Sequence, residues 1–432
     1  MTHRLTIIIT ALLGYSALIA LPACSPTTCP PWRPPVVVAM PAPPTLPPAK
    51  KKPTAGQRTC RDWSDVRGGP LRRGRSFCPG LRRPPAVRWQ FDTGAAVIAP
   101  PIVRGKWIYV GSTNGRLFAL NRATGKPRWT FEAGNTIHAA VALRGRALLL
   151  GTDDGQLRRL DADSGRVRWT YRSSQGIDHA PAVYKNVVLL STRDGVLTAL
   201  DLRTGLFRWQ FVTATAWRPS VKGGYHLAGI GGPPARSGNT IFFGSLGGQV
   251  HALDVTTGHL RWGIQTGWPM RSPPVVASKG LWVSDGSGYV HTLSRENGDR
   301  TGGMRSWYEK DISAPTLGDT GPFVATNNAL LSLTPMGRVR WRHRVPWTGA
   351  RLRGGAHPAP VLAGDVVYLN DRYGQLWAMD ATTGRLLWQR LAKRGAFTAP
   401  APLREGLVVG SGDGWVYRLG PGKSSPASSA LK

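Results

Sequence analysis

Short apolar runs separated by glycine-bearing turns recur along most of the chain, as in WIYVGSTNGRLFAL around Gly115 and VVYLNDRYGQLWAM around Gly374. Runs of β-favouring residues on either side of Asn-Gly, Asp-Gly or a similar pair read as two strands joined by a tight turn, because glycine enters the positive-φ region at little steric cost. The turn glycines are Gly115, Gly155, Gly195, Gly248, Gly288, Gly374 and Gly414, with Ala329 in the remaining place, and the intervals are 40, 40, 53, 40, 41, 45 and 40 residues. A unit of that size cannot bury its apolar face alone, so neighbouring units must stack.

A second marker follows the hairpins. ALNRATGKPRW, RLDADSGRVRW, ALDLRTGLFRW, ALDVTTGHLRW and AMDATTGRLLW share a turn and end in Trp129, Trp169, Trp209, Trp262 and Trp388; Trp341 closes a degenerate copy, and the unit around Gly302-Gly303 lacks its tryptophan. Each indole offers roughly 200 Å² of surface for sealing one unit to the next. Trp89, in PAVRWQFDTG, stands 40 residues ahead of Trp129, whereas the last unit stops at Tyr417-Arg418-Leu419 without a tryptophan strand. The first strand is therefore expected to complete the last unit, closing a ring with no open edge between its ends. The pattern predicts an all-β fold, an eight-bladed β-propeller of four-stranded antiparallel blades over 85–420, with no amphipathic helix after the leader.

Composition changes the picture chiefly at the N-terminus. Residues 2–4 are basic and 5–21 apolar, ending in Leu21-Pro22-Ala23-Cys24, which reads as an export signal over 1–23. Its last residues are similar to a lipobox, in which Cys24 becomes the acylated first residue; an uncleaved membrane anchor is the competing reading. Residues 24–59 are dense in proline and buries-no-core in composition, a tether that can reach on the order of 100 Å. Export places the cysteines in an oxidising compartment, where Cys60 and Cys78 are expected to pair within the segment 60–84 that leads into the first repeat, while Cys29 lies in the tether. Residues 421–432 read as a disordered tail. Lysine plus arginine total 56 against 23 acidic residues, a formal charge of +33. Such a charge favours anionic partners at long range, or simply solvates the surface.

The repeat pattern, with DWSDVRGGPLRRG ahead of Trp89, resembles the pyrroloquinoline-quinone-like repeat family over about Asp62 to Leu419. Two groups carry that repeat: quinoprotein dehydrogenases, which hold the quinone with calcium on the propeller axis, and non-catalytic periplasmic propellers such as the lipoprotein subunit of the outer-membrane β-barrel assembly machinery. This chain has no Cys-Cys pair and few carboxylates for a Ca²⁺ shell of six to eight oxygens. The resemblance thus implies the non-catalytic branch. It implies a lipid-anchored protein of a Gram-negative envelope, on the periplasmic side of the outer membrane or the cell surface. The propeller would be a monomeric scaffold for an envelope protein partner, with no enzyme activity, cofactor or nucleic acid. PQQ and calcium belong only to the dehydrogenase alternative, and a third reading is a binder of acidic glycans through a basic rim.

Aligned on their turns, the repeats place Ile98, His138, Asp178, Gly231, Arg271, Ile312, His357 and Phe397 just before the innermost strand. That connection runs near the axis, so His138, Asp178, Arg271 and His357 are candidates for a small-ligand or metal site, against plain loop polarity around a water-filled tunnel. His179 is expected to point away by strand alternation. The insertion at 213–237 reads as a flexible linker, and the extension at 346–357 offers Trp347, Arg351 and Arg353 as a contact patch. Arg88, Arg128, Arg168, Arg208, Arg261 and Arg340 each precede a blade tryptophan, which predicts a basic belt around the rim. Neither a nucleophile elbow, an HExxH motif nor a zinc-type Cys/His spacing is present.

Overall fold

The computed structural model describes Cys60 and residues 62–422 apart from 193, 214–215, 219–224, 228, 279, 306–311, 327, 346–358, 372 and 393–394, with no side chains at 216–218, 225–227 and 305. Cys24, Cys29, Trp347, Arg351, Arg353 and His357, with the signal, tether and residues 423–432 of the tail, lie outside the described residues, while Pro421, expected in that tail, belongs to the closing strand opposite Pro85.

The chain forms an eight-bladed β-propeller of four-stranded antiparallel blades. The first blade takes Ile102–Arg104, Trp107–Gly111, Arg116–Asn121 and Pro127–Glu132 in that order, and the next six, opening at Ala142, Ala182, Ala235, Val275, Thr316 and Val361, repeat it. In the eighth, Pro85–Asp92 lies outermost against Trp415–Pro421, with Trp89 opposite Arg418 and Gln90 opposite Tyr417. The first strand thus closes the ring. Burial falls outward across a blade: Ala147–Gly151, second from the axis, is buried throughout, whereas outermost Val167–Arg172 keeps only alternate residues half-covered.

Each outer-strand tryptophan seals its blade to the next. Trp209 Nε1 donates to the Val255 carbonyl at 3.1 Å, and its ring rests on Gly258, where φ is +77° and a Cβ would stand 2.6 Å from the indole. Only glycine satisfies both conditions, which is why the A-x-D-x-x-T-G turn and the tryptophan of the preceding blade recur together. Trp89, Trp129, Trp169, Trp262 and Trp341 repeat the bond, to the carbonyls of Arg122, Ala162, Leu202, Arg295 and Ala381. Two junctions depart from the rule. Where Gly302 replaces the tryptophan, Met304 lies against Gly337 of the following blade. At the ring closure no turn follows Trp388, and its Nε1 donates instead to Leu81 at 2.6 Å.

Four of the six arginines of the expected basic belt meet aspartates, three on their own blade and Arg128 on the next, at Asp163. In each of these outer strands the register skips the arginine, pairing Leu200 with Phe207 and then Ala199 with Trp209, for example, so Arg208 sits in a β-bulge. The bulge turns it toward the aspartate of its own blade: Arg208 meets Asp201 at 2.5 Å, Arg261 meets Asp254 at 2.6 Å and Arg168 meets Asp161 at 3.4 Å. Strand alternation fails here because a bulge adds one residue to the count. Arg208, and then the turn amides of Thr204 and Arg203, hold the Asp201 carboxyl down to about 2. The insertion read as a linker also carries structure, since Ala216–Arg218 pairs antiparallel with Tyr225–Leu227; the residues on either side of Gly223-Gly224 satisfy each other's backbone groups locally.

Candidate functional site

The axis has two mouths, and a segment outside the repeats crosses one of them. Residues 62–84 form a strap at the end where the inner strands finish. Its Trp63 carbonyl accepts from Val103 of blade 1 at 2.9 Å, and Val66 packs on Ala99, Ala140 and Ala180 from the first three blades. The carbonyls of Pro70, Leu71, Arg73 and Gly74 then accept from Arg236, Val276, Leu317 and Leu362 of blades 4 to 7 at 2.8, 3.0, 2.9 and 2.9 Å. Arg75–Ser76 joins blade 7 as a parallel fifth strand, and a disulfide from Cys60 to Cys78 fastens the segment to itself. The sequence marked this stretch only as a lead-in.

A charged pair holds the centre of the strap. Arg72 is fully buried, with Nη1 on Asp65 Oδ1 at 2.6 Å and on the Val66 carbonyl at 2.8 Å, and Nε on the Pro234 carbonyl at 3.3 Å. Arg67 reaches across to the Pro315 carbonyl of blade 6 at 2.6 Å. Burial, and then the Arg72 charge, push the Arg67 guanidinium down to about 9, so it remains protonated at neutral pH. A buried pair is costly to desolvate and costlier to break, so the strap is tied to one geometry rather than draped over the mouth.

The other mouth carries the axial candidates. His138 Nδ1 lies 2.9 Å from Asp153 Oδ1, and one donor atom each from His138, Asp153 and Asp178 fall within 4.8 Å of one another. His138 and Asp178 are therefore brought together, through a residue the repeat alignment did not single out. The doubled acid of the TDDG turn, where sister turns have one or none, was the available signal. Arg271 makes no hydrogen bond or ion pair with the described residues around that cluster, and His179 is turned to the Ile230 carbonyl at 2.9 Å. Among the described residues this cluster offers two carboxylates and an imidazole, short of a calcium shell of six to eight oxygens.

Comparison with known proteins assigns the chain. The family described as outer membrane protein assembly factor BamB matches residues 84–218, 212–334 and 326–422. The chain belongs to the BamB family. A BamB of Moranella endobia (strain PCIT) is 26% identical over 182 residues, covering 40% of this chain and 46% of that protein. The chain spans about half the length of the curated relatives it matches, a BamB of Yersinia pestis among them. In three dimensions the BamB-family fold is similar to the crystal structure of BamB from Moraxella catarrhalis, with a TM-score of 0.65 and 19% identity over 78% of this chain and 100% of that one. It is similar also to quinohemoprotein alcohol dehydrogenase from Comamonas testosteroni, with a TM-score of 0.68 and 17% identity over 88% and 83% of the two chains. At these identities the structural likeness speaks to the fold that both groups share.

Proposed function

We propose that the chain is a non-catalytic cell-envelope scaffold that takes part in outer-membrane protein assembly, held to the membrane by acylation of Cys24 and presenting a monomeric propeller to envelope protein partners. Family membership carries the reading. It is supported by the axis itself: one mouth is crossed by the strap, and at the other the described cluster offers only two carboxylates and an imidazole. No cofactor is required by this role, and nucleic acid has none in it.

Crosslinking in intact cells, followed by identification of captured proteins, tests the scaffold role; the expected catch is envelope assembly proteins, and a catch without any envelope protein would remove the reading. Cys24→Ala is expected to release the protein from membranes, and unchanged retention would overturn the anchor. The fold shared with the dehydrogenase sustains one rival. Purified protein given PQQ and calcium is expected to reduce no dye with alcohols as substrate, and quinone-dependent turnover would replace the scaffold reading with an enzyme.

A further inference from the structure

The strap covers its mouth unevenly. The strap supplies an acceptor to the amide of the second residue of the inner strand in blades 1, 4, 5, 6 and 7. Blade 8 has Pro402 at this position and offers no N–H. The equivalent amides in blades 2 and 3 belong to Leu143 and Val183, and no backbone acceptor meets either of them among the described residues. A small cavity at the blade 3 edge is lined by Asp65 and Arg72 of the strap together with Val183, Tyr184 and Arg236.

Charge also varies around this face, though not in step with coverage, since the bonded blades 1 and 5 carry basic turns, Lys279 among them. The turns that follow the inner strands carry Asp319, Asp365 and Glu405 on blades 6, 7 and 8, the last beside Arg404, but Arg104, Lys106, Arg144, Arg146 and Lys185 on blades 1, 2 and 3. The strap's own cations take the acidic turns: Arg75 meets Asp319 at 2.6 Å, and Arg82 bridges Asp365 and Asp380. Asp62 of the strap does the converse, accepting from the Gly105 amide at 2.7 Å between Arg104 and Lys106, while the strap's other carboxylate, Asp65, lines the cavity at the blade 3 edge and is paired with Arg72 at 2.6 Å. Among the described residues no strap carboxylate is bonded to the turns at Gly145 and Lys185 on blades 2 and 3. Arg146 is held by Asp161 and Asp163, but Arg144 and Lys185 are exposed, and Tyr184 lies under both Lys185 and Arg236, at 5.4 and 4.3 Å.

We propose that this uncovered arc over blades 2 and 3 binds an extended acidic peptide segment of a partner protein. The segment pairs with the Leu143 and Val183 amides as the strap pairs with its blades, and sets carboxylates against Arg144, Lys185 and the Gly145 turn as Asp62 does at Gly105. Sheet-edge amides give such a peptide its register, and the flanking cations select its charge. The proposal rests on the scaffold reading and adds the face and the chemistry of the partner.

The probe is a labelled ten-residue peptide alternating aspartate and threonine, titrated against the purified full chain. Saturable binding is expected, weakened about tenfold or more by Arg144→Glu with Lys185→Glu, and by about the same when asparagine replaces aspartate in the peptide. Val183→Pro copies blade 8, removes an amide without changing charge, and is expected to weaken binding while thermal unfolding stays in place. Arg338→Glu with Arg385→Glu, on blades 6 and 7, is the charge-matched control; an equal loss there would reduce the effect to general attraction by a +33 protein and overturn the proposal. Binding to phosphatidylglycerol vesicles through Arg144 and Lys185, with no binding of the peptide, would overturn it in favour of a lipid surface. If the peptide fails to bind while cells still yield envelope partners on crosslinking, this face is wrong and the scaffold reading stands; if the partners themselves are missing, the scaffold reading falls.

Discussion

At one end of the axis a non-repeated segment crosses the mouth, buries Arg72 completely and ties together blades 1 and 4 to 7; at the other, His138 and Asp178, in the connections into the inner strands of blades 2 and 3, stay partly exposed beside Asp153. The same eight repeats line both ends, so the difference comes from what is added to them. Repeats that face an axis present similar small residues to one another, as Ala99, Ala140 and Ala180 do, and cannot fill the space between them. A segment free of the repeat can, and here it brings buried charge that makes its path specific. Among the described residues, the other end retains polar groups that water can reach. One mouth is thus part of the folded core and the other part of the surface.

Four measurements break or sharpen that contrast. Arg72→Met removes the guanidinium from Asp65 and from the Pro234 carbonyl, and is expected to cost about 3–5 kcal/mol in urea unfolding. A loss under about 1 kcal/mol would show that the strap lies outside the cooperative unit. Cys60→Ser with Cys78→Ser opens the loop that fastens the strap, a separation of 18 residues, and is expected to cost roughly 3 kcal/mol. Full stability under reducing conditions would contradict it.

The third measurement separates the blade interior from both mouths by pH. His251 is stacked on Phe243 with centroids 5.1 Å apart, and burial pushes its imidazole down to about 4. The folded state therefore resists a proton that the unfolded chain accepts near 6.5. Stability from this group is complete above that value and falls as pH drops from 6.5 toward 4, by up to about 1.4 kcal/mol per unit. His251→Phe is expected to flatten that slope, and an unchanged slope would place the titration elsewhere. The smallest effect belongs to the open mouth: His138→Ala, which removes a half-exposed pair with Asp153, is expected to cost less than about 1 kcal/mol. A loss as large as that of Arg72→Met would erase the distinction between the two ends.

Much of this was legible in the residues. Trp89 ahead of the first repeat and Tyr417 at the end of the last implied a ring closed by its first strand, and that pairing is present. The arginines before the tryptophans were misread as a free belt, because alternation counts residues and a bulge breaks the count. Among the axial candidates, alignment found His138 and Asp178 but not Asp153, which comes from a hairpin turn rather than from the aligned connection.

The sequence by itself determined the number of blades, the turn glycines and the order of strands, since each depends on contacts within one period or between neighbouring periods. The Trp209 bond to Val255, 46 residues away, is of that kind. The tertiary structure alone decided the strap. Arg67 finds its acceptor 248 residues on, and Trp388 finds Leu81 across 307, partners that no local pattern names. A segment without a period has no register of its own, so its path is set only once the ring exists to receive it.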